Sequence, residues 1–284
     1  MAGQAIFIND ITPLIITYNE APNIARTLGK LGWAKRIVVV DSGSTDGTRE
    51  IVSNFPRTHL VYRAFDNFAA QCNFGLTQIQ TDWVLSLDAD YVLSDELVAE
   101  IQELTDESHQ GFRAHFMYCI QGHRLRGTIL PPRTVLYRVA HASYANYGHG
   151  HKVAVPGTTG LLNGRIFHDD RKPLSRWLRS QLRYSAQEAD YLLSAEQGKL
   201  SLSDRIRLLC CIAPWAVPLY VYFLKGCIFD GWFGWRYTLE RLLAETIIAL
   251  ELLDRRRQFL GTIPRESRPV ADSIAPHPGM SDAD

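Results

Sequence analysis

Residues 86–90 read SLDAD, end the apolar run Trp83–Leu87 and decide the fold class. Two carboxylates one residue apart, Asp88 and Asp90, stand where a buried strand has to stop. Like charges this close disfavour each other's ionised form unless a cation or a ligand compensates them. The stretch therefore predicts a buried strand whose carboxyl end carries a binding site.

Short apolar runs alternate with helical patterns on both sides of this stretch. The apolar runs predict strands at 12–17, 36–40, 59–62, 83–87, 115–120 and 134–138, and helical spacing predicts helices at 22–32, 46–52, 68–79 and 96–104. Strands separated by helices are typical of a parallel sheet, and continuous apolar strands are typical of a sheet covered on both faces. We therefore predict an α/β fold with a mostly parallel, Rossmann-like sheet flanked by helices.

Polar side chains follow three of the predicted strands. They are Thr17, Tyr18, Asn19 and Glu20 after the first strand, Asp41 and Ser42 after the second, and Asp88 and Asp90 after the fourth. Ligands bind at the carboxyl ends of parallel strands, so these residues are expected to share one site. The chain has neither GxGxxG after the first strand nor GxxxxGK[ST], which excludes a dinucleotide fingerprint and a P-loop. A diphosphate bound here would need a cation such as Mg²⁺ or Mn²⁺ on the two aspartates.

Four blocks of sequence resemble the family 2 glycosyltransferases with the A-type fold, in both order and spacing. They are ITYNE (16–20), VVVDSGSTDGT (38–48), QCNFGL (71–76) and LSLDAD (85–90). Two further blocks, IFH (166–168) and FLKGCIFDGW (223–232), are similar to the lipopolysaccharide-core glucosyltransferase branch. The resemblance implies a nucleotide diphosphate-sugar donor and a divalent cation, Mn²⁺ or Mg²⁺.

The resemblance also implies roles for individual residues. Asp90 is expected to ligate the metal and to be required for catalysis, Asp88 to meet the ribose or a metal-bound water, and His168 to be a further metal ligand. The residues expected to line the donor are Thr17, Tyr18, Asn19, Glu20, Asp41, Ser42, Gln71, Asn73 and Asp88. Some of these have a structural alternative: a helix cap for Asp41, core packing for Tyr18, a surface helix position for Gln71 and a structural role for His168.

The catalytic base is not evident from these motifs. An inverting transferase needs a carboxylate or a histidine to take the proton of the acceptor hydroxyl. Relatives often carry an acid directly after the metal motif, where this chain has Tyr91, and residues 111–168 contain no Asp or Glu. The loop 147–152 (YGHGHK) offers His151 first and His149 second. Asp169 or Asp170, and a loop that only binds the acceptor, are the alternatives.

The charge of the chain is uneven although its 284 residues sum to zero. Residues 1–110 carry a net −8, whereas 111–170 and 171–258 carry +5 each. This asymmetry suits a divalent cation on one side and a phosphate-bearing or membrane partner on the other. Five cysteines without CxxC spacing indicate reduced structural thiols in the cytosol, and the N-terminus is not expected to be a signal peptide.

The C-terminal third differs from the rest in composition. Residues 208–224 run for 17 residues without a charge but contain Pro214 and Pro218, whereas a membrane span needs about 20 apolar residues. We expect a monotopic or re-entrant anchor with interfacial aromatics; a helical appendage buried against the catalytic domain is the alternative. The predicted domains are a catalytic domain at 1–170, a helical membrane-associated region at 171–260 and a disordered tail at 261–284.

The sequence therefore predicts a metal-dependent inverting glycosyltransferase. It would move a hexose, with a UDP-linked donor as the first expectation, to a glycan or glycolipid acceptor of the bacterial envelope. The expected location is the cytoplasmic face of the inner membrane, with a homodimer as one option and nucleic acid not expected as a partner. The alternatives are a polyprenyl-phosphate glycosyltransferase and an inactive nucleotide-sugar-binding assembly protein. A sugar nucleotidyltransferase ranks lower because its glycine-rich first loop is missing.

Overall fold

The computed structural model describes residues 8–105, 108–127, 129–140, 142–147, 150–196, 198 and 200–259, and their side chains except those of 146, 147, 150, 151, 258 and 259. The strands are β1 Ile11–Thr17, β2 Ile37–Asp41, β3 Thr58–Tyr62, β4 Trp83–Asp88, β5 Tyr91–Leu93, β6 Gly111–Ile120, β7 His123–Arg124, β8 Arg133–Arg138, β9 Ser143–Tyr147, β10 Gly150–Ala154 and β11 Thr159–His168. The helices are α1 Ile24–Gly29, α2 Thr48–Asn54, α3 Phe68–Thr77, α4 Asp95–Gln102, α5 Leu174–Ser194, α6 Leu202–Leu208, α7 Ala213–Leu219 and α8 Gly231–Phe259. A π-helical turn, Tyr220–Leu224, and a 3₁₀ turn, Cys227–Asp230, join α7 to α8.

One mixed sheet organises the first two thirds of the chain. Among the described residues its order is β3–β2–β1–β4–β8–β6–β11–β5, with β7 paired on β6 and a separate β9–β10 hairpin beside it. Strands β3, β2, β1 and β4 are parallel, as predicted. Beyond them β8 is antiparallel to both β4 and β6, β11 is parallel to β6, and β5 is antiparallel to β11. The sheet is thus parallel at one side and mixed at the other.

The core lies on both faces of this sheet. Val39 of β2 packs in a cluster with Leu28 of α1 and Leu97 of α4, whereas its neighbours Val38 and Val40 pack in a second cluster. Successive side chains of a strand point to opposite faces, so a strand buried on both faces has to be apolar at every position. This explains the run IVVV that identified β2 in the sequence.

Strands β5 and β11 are not evident from the sequence pattern, yet they complete the site. β5 is only three residues long, and β11 has a register shift between Leu161 and Arg165. The two strands pair so that His168 lies opposite Tyr91. A Cβ atom at Gly164 would come within 2.4 Å of the Leu97 Cα atom, so glycine is needed for α4 to pack on β11. This packing fixes the end of β11 against the turn that follows β4.

The C-terminal helices pack against the rest of the chain through a small apolar cluster. It joins Ile120 and Leu125, at the β6–β7 hairpin, to Val221, Cys227 and Tyr237. A second cluster holds α5 against α8. No helix in the described part of the chain is long and apolar enough to cross a membrane.

The predicted domain boundary at residue 170 falls between β11 and α5. The boundary at 260 and the predicted disordered tail lie outside the described residues.

Candidate active site

The three predicted polar segments lie together at one edge of the sheet. The register pairs Thr17 of β1 with Asp41 of β2, and Ile16 of β1 with Asp88 of β4. The carboxyl ends of these strands are therefore adjacent, and the side chains that follow them share one surface.

Asp41 organises the loop after β2. Its buried carboxylate accepts hydrogen bonds from the N–H groups of Gly43 (2.9 Å) and Ser44 (3.0 Å) and from the Ser44 hydroxyl. Gly43 has φ +92°, a conformation that favours glycine. The Ser44 hydroxyl also accepts a bond from the N–H of Asn19 (2.7 Å), which ties this loop to the one after β1. The predicted contact of Asp41 and Ser42 with the nucleotide base stays a prediction.

The loop after β1 is held from several sides while Tyr18 remains accessible. Asn19 has φ +55°, and its side-chain oxygen accepts a bond from the N–H of Thr45 (2.7 Å). Arg176 of α5 donates to the carbonyl groups of Asn19 (2.6 Å) and Tyr18 (2.8 Å). The Tyr18 side chain is exposed, which leaves its ring free to stack on a base. The buried hydroxyl of Thr17 has no hydrogen-bond partner among the described residues.

Two amide side chains of α3 make well-defined contacts. Gln71 donates to the Ser42 hydroxyl (2.9 Å) and to the Arg63 carbonyl group (3.1 Å). Asn73 donates to the carbonyl group of Tyr144 (3.0 Å) and accepts from its N–H (2.8 Å). Gln71 thus supports a residue of the site, whereas Asn73 holds strand β9. The predicted contacts of Gln71 and Asn73 with the donor stay predictions.

Asp90 and His168 form the centre of the site. The Asp90 Oδ2 and His168 Nε2 atoms are 3.1 Å apart. Burial acts to raise the pKa of Asp90, but the charge and hydrogen bond of His168 lower it to about 2. Burial acts to lower the pKa of His168, and the charge of Asp90 raises it. The Tyr91 hydroxyl lies against Asp88; burial, and then this neighbouring charge, raise the Tyr91 pKa.

These residues fit a divalent cation as a two-ligand set. Neighbouring ligands of an octahedral ion with bonds of about 2.1 Å lie about 3.0 Å apart, close to the observed separation of the Asp90 oxygen and the His168 nitrogen. Among the described residues no group of three or more His, Cys, Asp or Glu side chains is arranged to hold a metal. Asp88 therefore does not complete a three-residue set with Asp90 and His168. An ion here would take its other ligands from substrate and water.

Lys172 is a site residue that the motifs do not reveal. Its ammonium group contacts the Glu20 carboxylate and lies 3.6 Å from the Asp170 Oδ1 atom. Asn23 donates to both carboxylates, at 2.8 and 3.0 Å. Burial raises the pKa of Glu20 to about 7, the charge of Lys172 opposes this, and that of Asp90 adds to it. The only hint in the sequence is the charged run HDDRK (168–172) after an apolar segment.

The two acids after His168 differ in availability. The Asp169 carboxylate is buried and accepts from Arg26 (2.8 Å), Arg171 (2.8 Å) and the N–H of Gly122 (3.2 Å). Asp170 instead lines a cavity of about 50 Å³ with Lys172 and two residues of α8, Arg236 and Glu240. Asp169 thus holds the β11–α5 loop, whereas Asp170 accepts from the Asn23 amide and the Lys172 N–H and also borders the small cavity.

The predicted histidine loop is the end of a hairpin. His151 pairs through its backbone with Asn146, so it belongs to strand β10 and not to a loop. His149 lies outside the described residues, and so does the side chain of His151. A cavity of about 540 Å³ lies beside the hairpin, lined by Thr134, Ala145, Lys152, Val153, Ala154, Val155, Gly157 and Thr159.

Comparison with known proteins identifies the family. Residues 13–163, more than half of the chain, match the family model described as Glycosyl transferase family 2. An uncharacterised glycosyltransferase of Rickettsia prowazekii is 27% identical over an alignment of 239 residues that covers 78% of this chain and 80% of the relative. The lipopolysaccharide core biosynthesis glycosyltransferase LpsC of Rhizobium meliloti is 32% identical over an alignment of 104 residues that covers 34% of this chain and 38% of LpsC.

A solved structure supports the fold. The mannosyltransferase PcManGT from Pyrobaculum calidifontis, in complex with GDP-Man and Mn²⁺, superposes with a TM-score of 0.52 at 15% identity over 89% of both chains. The predicted fold class is confirmed: a mixed α/β sheet of the A type with helices following it. The chain belongs to glycosyl transferase family 2 and is a glycosyltransferase.

Proposed function

We propose that this glycosyltransferase moves a hexose from a nucleotide diphosphate-sugar, UDP-linked in the first instance, to a glycan or glycolipid of the bacterial envelope. Transfer is metal-dependent and inverts the anomeric carbon. The observation that carries the proposal is the pairing of Asp90 with His168 at the strand edge where Thr17, Asp41 and Asp88 also end.

Asp90 and His168 are the residues that would hold the cation. The Asp90 carboxylate suits Mn²⁺ or Mg²⁺ bound together with substrate oxygens, and the nitrogen of His168, 3.1 Å away, favours Mn²⁺ because Mg²⁺ prefers oxygen ligands. The structural neighbour from Pyrobaculum calidifontis was solved with GDP-Man and Mn²⁺, which supports the assignment. When bound, such a cation neutralises the charge that develops on the departing nucleoside diphosphate.

The chain supplies further charge and shape for the donor. Lys172 lies between Glu20 and Asp170 and is the cation that the diphosphate would meet beside the metal ligands. The exposed ring of Tyr18 offers a stacking surface for the base, and Asp88, at the end of β4, would meet the ribose. Gln71 keeps Ser42 oriented by its hydrogen bond to the Ser42 hydroxyl.

We assign the general base to His151, with His149 second. Strand β10 brings His151 to the hairpin beside the larger cavity. Asp169 is a poor base because two arginines and a backbone N–H occupy its carboxylate. Asp170 remains the acid that could replace the histidine, since it lines the smaller cavity next to Lys172.

The envelope acceptor is supported by the likeness to LpsC, a lipopolysaccharide core glycosyltransferase, over a third of the chain. The test is to incubate the protein with Mn²⁺, a panel of nucleotide-hexoses and truncated lipooligosaccharide or polyprenyl phosphate. We expect nucleoside diphosphate release and an added hexose of inverted configuration on the lipooligosaccharide. Transfer to polyprenyl phosphate alone would establish the alternative acceptor. No transfer to either, with donor binding retained, would favour a binding protein.

A further inference from the structure

The C-terminal helices expose an unusually apolar surface. Twelve large apolar side chains are exposed from the residue before α7, along α7 and the two turns, to the first half of α8. We call them the apolar platform: Ile212, Trp215, Leu219, Tyr220, Phe223, Leu224, Ile228, Phe229, Trp232, Trp235, Leu239 and Leu243. Leu224 is 78% exposed, Phe229 71% and Trp215 67%. Single exposed apolar residues are ordinary, but a contiguous group of this size marks an interaction surface.

The platform is continuous across three elements. The ring of Tyr222, on the π-helical turn, lies 5.0 Å from that of Phe223 and 5.5 Å from that of Trp235 on α8. Helix α7 packs along α8. On α8 the platform residues recur at 232, 235, 239 and 243, the spacing of one helical face. The opposite face, with Tyr237 and Ala244, is buried. The first half of α8 therefore carries apolar side chains on both its buried and its exposed face.

The exposed charges around the platform have one sign. Residues 212–243, the range of the platform, contain the cations Lys225, Arg236 and Arg241 and the acids Asp230 and Glu240, both of which are buried. Lys225 is exposed and lies over the Tyr220 ring, whereas Asp230 is buried and paired with Arg126. Arg126, 67% exposed, lies over the Phe229 ring. Exposed Trp, Tyr and Phe rings with cations between them match the region where lipid headgroups meet acyl chains.

We propose that the apolar platform docks in the plane of an anionic phospholipid bilayer, with Lys225 and Arg126 at the headgroups and the aromatic side chains below them. A second copy of the chain is disfavoured because it would bring the same exposed cations to the contact while the acids of this segment, Asp230 and Glu240, are buried. Residues 260–284 are disfavoured because they contain four prolines and few large apolar side chains. This proposal is independent of the proposed function and needs neither donor nor metal.

A neighbour of one platform residue lines the small cavity of the site. Arg236, adjacent to Trp235, lines the small cavity together with Asp170 and Lys172. A bilayer against the platform would therefore lie close to the site, which suits an acceptor that is itself anchored in that bilayer.

The test is co-flotation of the full chain with liposomes of phosphatidylcholine alone or with about 30% phosphatidylglycerol, at low and high salt. We expect flotation with the anionic liposomes, weakened by salt because surface charges are screened. W215Q/F229Q should lower the bound fraction at least tenfold, and K225E at least threefold. The matched controls, L161Q and K35E, change an exposed leucine and an exposed lysine elsewhere and should bind like the parent protein.

Two readouts keep the result decisive. The melting temperature of W215Q/F229Q should match that of the parent, and brominated lipids should quench the tryptophan fluorescence of the parent protein. Absence of flotation by the parent, or equal flotation by W215Q/F229Q, overturns the proposal. Light scattering that shows a dimer lost in W215Q/F229Q, without liposome binding, overturns it in favour of a contact between copies.

Discussion

At the scale of residues, the site depends on contacts between groups far apart in sequence. Asp90 and His168 are separated by 78 positions, and they meet because β5 pairs with the end of β11. Lys172, four residues after His168, contacts Glu20 beside this pair. Removing Asp90 or His168 leaves the other side chain largely buried without this partner, so a substitution of either is expected to have a large effect.

Asp90→Asn tests the metal ligand. The amide keeps the shape of the side chain but loses the charge, so the affinity for Mn²⁺ should fall at least tenfold and transfer should be abolished. The control is Asp95→Asn, because the Asp95 side chain is 86% exposed and pairs only with Lys30 among the contacts described. Calorimetric titration with Mn²⁺ measures both variants. Unchanged Mn²⁺ affinity in Asp90→Asn would contradict the assignment.

Lys172→Met tests the cation beside the metal ligands. Methionine has a side chain of similar length without the charge. The affinity for the nucleotide-sugar donor should therefore fall about tenfold or more, because a charge-assisted contact with phosphate is lost. Lys30→Met removes a lysine that pairs with exposed Asp95 and should change donor affinity less than twofold. Calorimetric titration with the donor measures the affinity of both variants. Equal donor affinity in both variants would show that Lys172 has a purely structural role.

His151→Ala tests the general base. Turnover should fall by about 10²–10⁴-fold while donor affinity stays within a factor of two, because a base acts on the acceptor proton. The parent protein should lose activity as the pH falls below about 6–7, where a histidine base becomes protonated. His115→Ala, an exposed histidine of β6, is the control. If His151→Ala keeps more than a tenth of the turnover, Asp170 is the next residue to replace.

At the scale of elements, the sequence predicts the parallel part of the sheet better than the mixed part. Strands β1, β2 and β4 are evident because burial on both faces requires continuous apolar runs. β5 is too short for a periodic signal, and β11 contains polar residues and a register shift. The sequence therefore locates Asp41, Asp88 and Asp90 at the ends of strands, whereas the contact of Lys172 with Glu20 depends on a long-range pairing that no local pattern encodes.

Asn73→Ala separates two roles for α3. The substitution removes both hydrogen bonds to the Tyr144 backbone, which should cost about 2 kcal/mol of unfolding free energy. Because β9 then loses its tether, turnover should fall more than donor affinity. Asn54→Ala, at an exposed position of α2, should leave the unfolding free energy, the turnover and the donor affinity unchanged. An equal loss of donor affinity would instead support the predicted contact of Asn73 with the donor.

Gly234→Ala tests the junction between the 3₁₀ turn and α8. A Cβ atom there would come within 1.9 Å of the Cys227 carbonyl oxygen, so the backbone has to shift. We expect destabilisation of about 2–3 kcal/mol, in the range of overpacked sites. Gly29→Ala, where nothing lies within 4 Å, should be neutral or slightly stabilising. Denaturant unfolding measures both, and equal stability of the two variants would contradict the packing described.

At the scale of the whole molecule, the uneven charge of the sequence corresponds to a division of the structure. The acidic first part forms the strand edge with Asp41, Asp88 and Asp90, and the basic later part supplies Lys172 and Arg176 to that same edge. The helices that follow α5 carry the apolar platform on their outer side. The site proposed for an anionic donor and the surface proposed to bind lipid can therefore be tested separately.

The most direct test of the central claim is calorimetric titration of a panel of UDP-, GDP- and dTDP-hexoses into the full chain, with Mn²⁺ and after chelation. We expect at least one nucleotide-hexose to bind with Mn²⁺, and chelation or Asp90→Asn to weaken its binding at least tenfold. Asp95→Asn should bind like the parent protein. Binding that is equally tight after chelation, or the absence of binding by every member of the panel with Mn²⁺ present, would contradict the account.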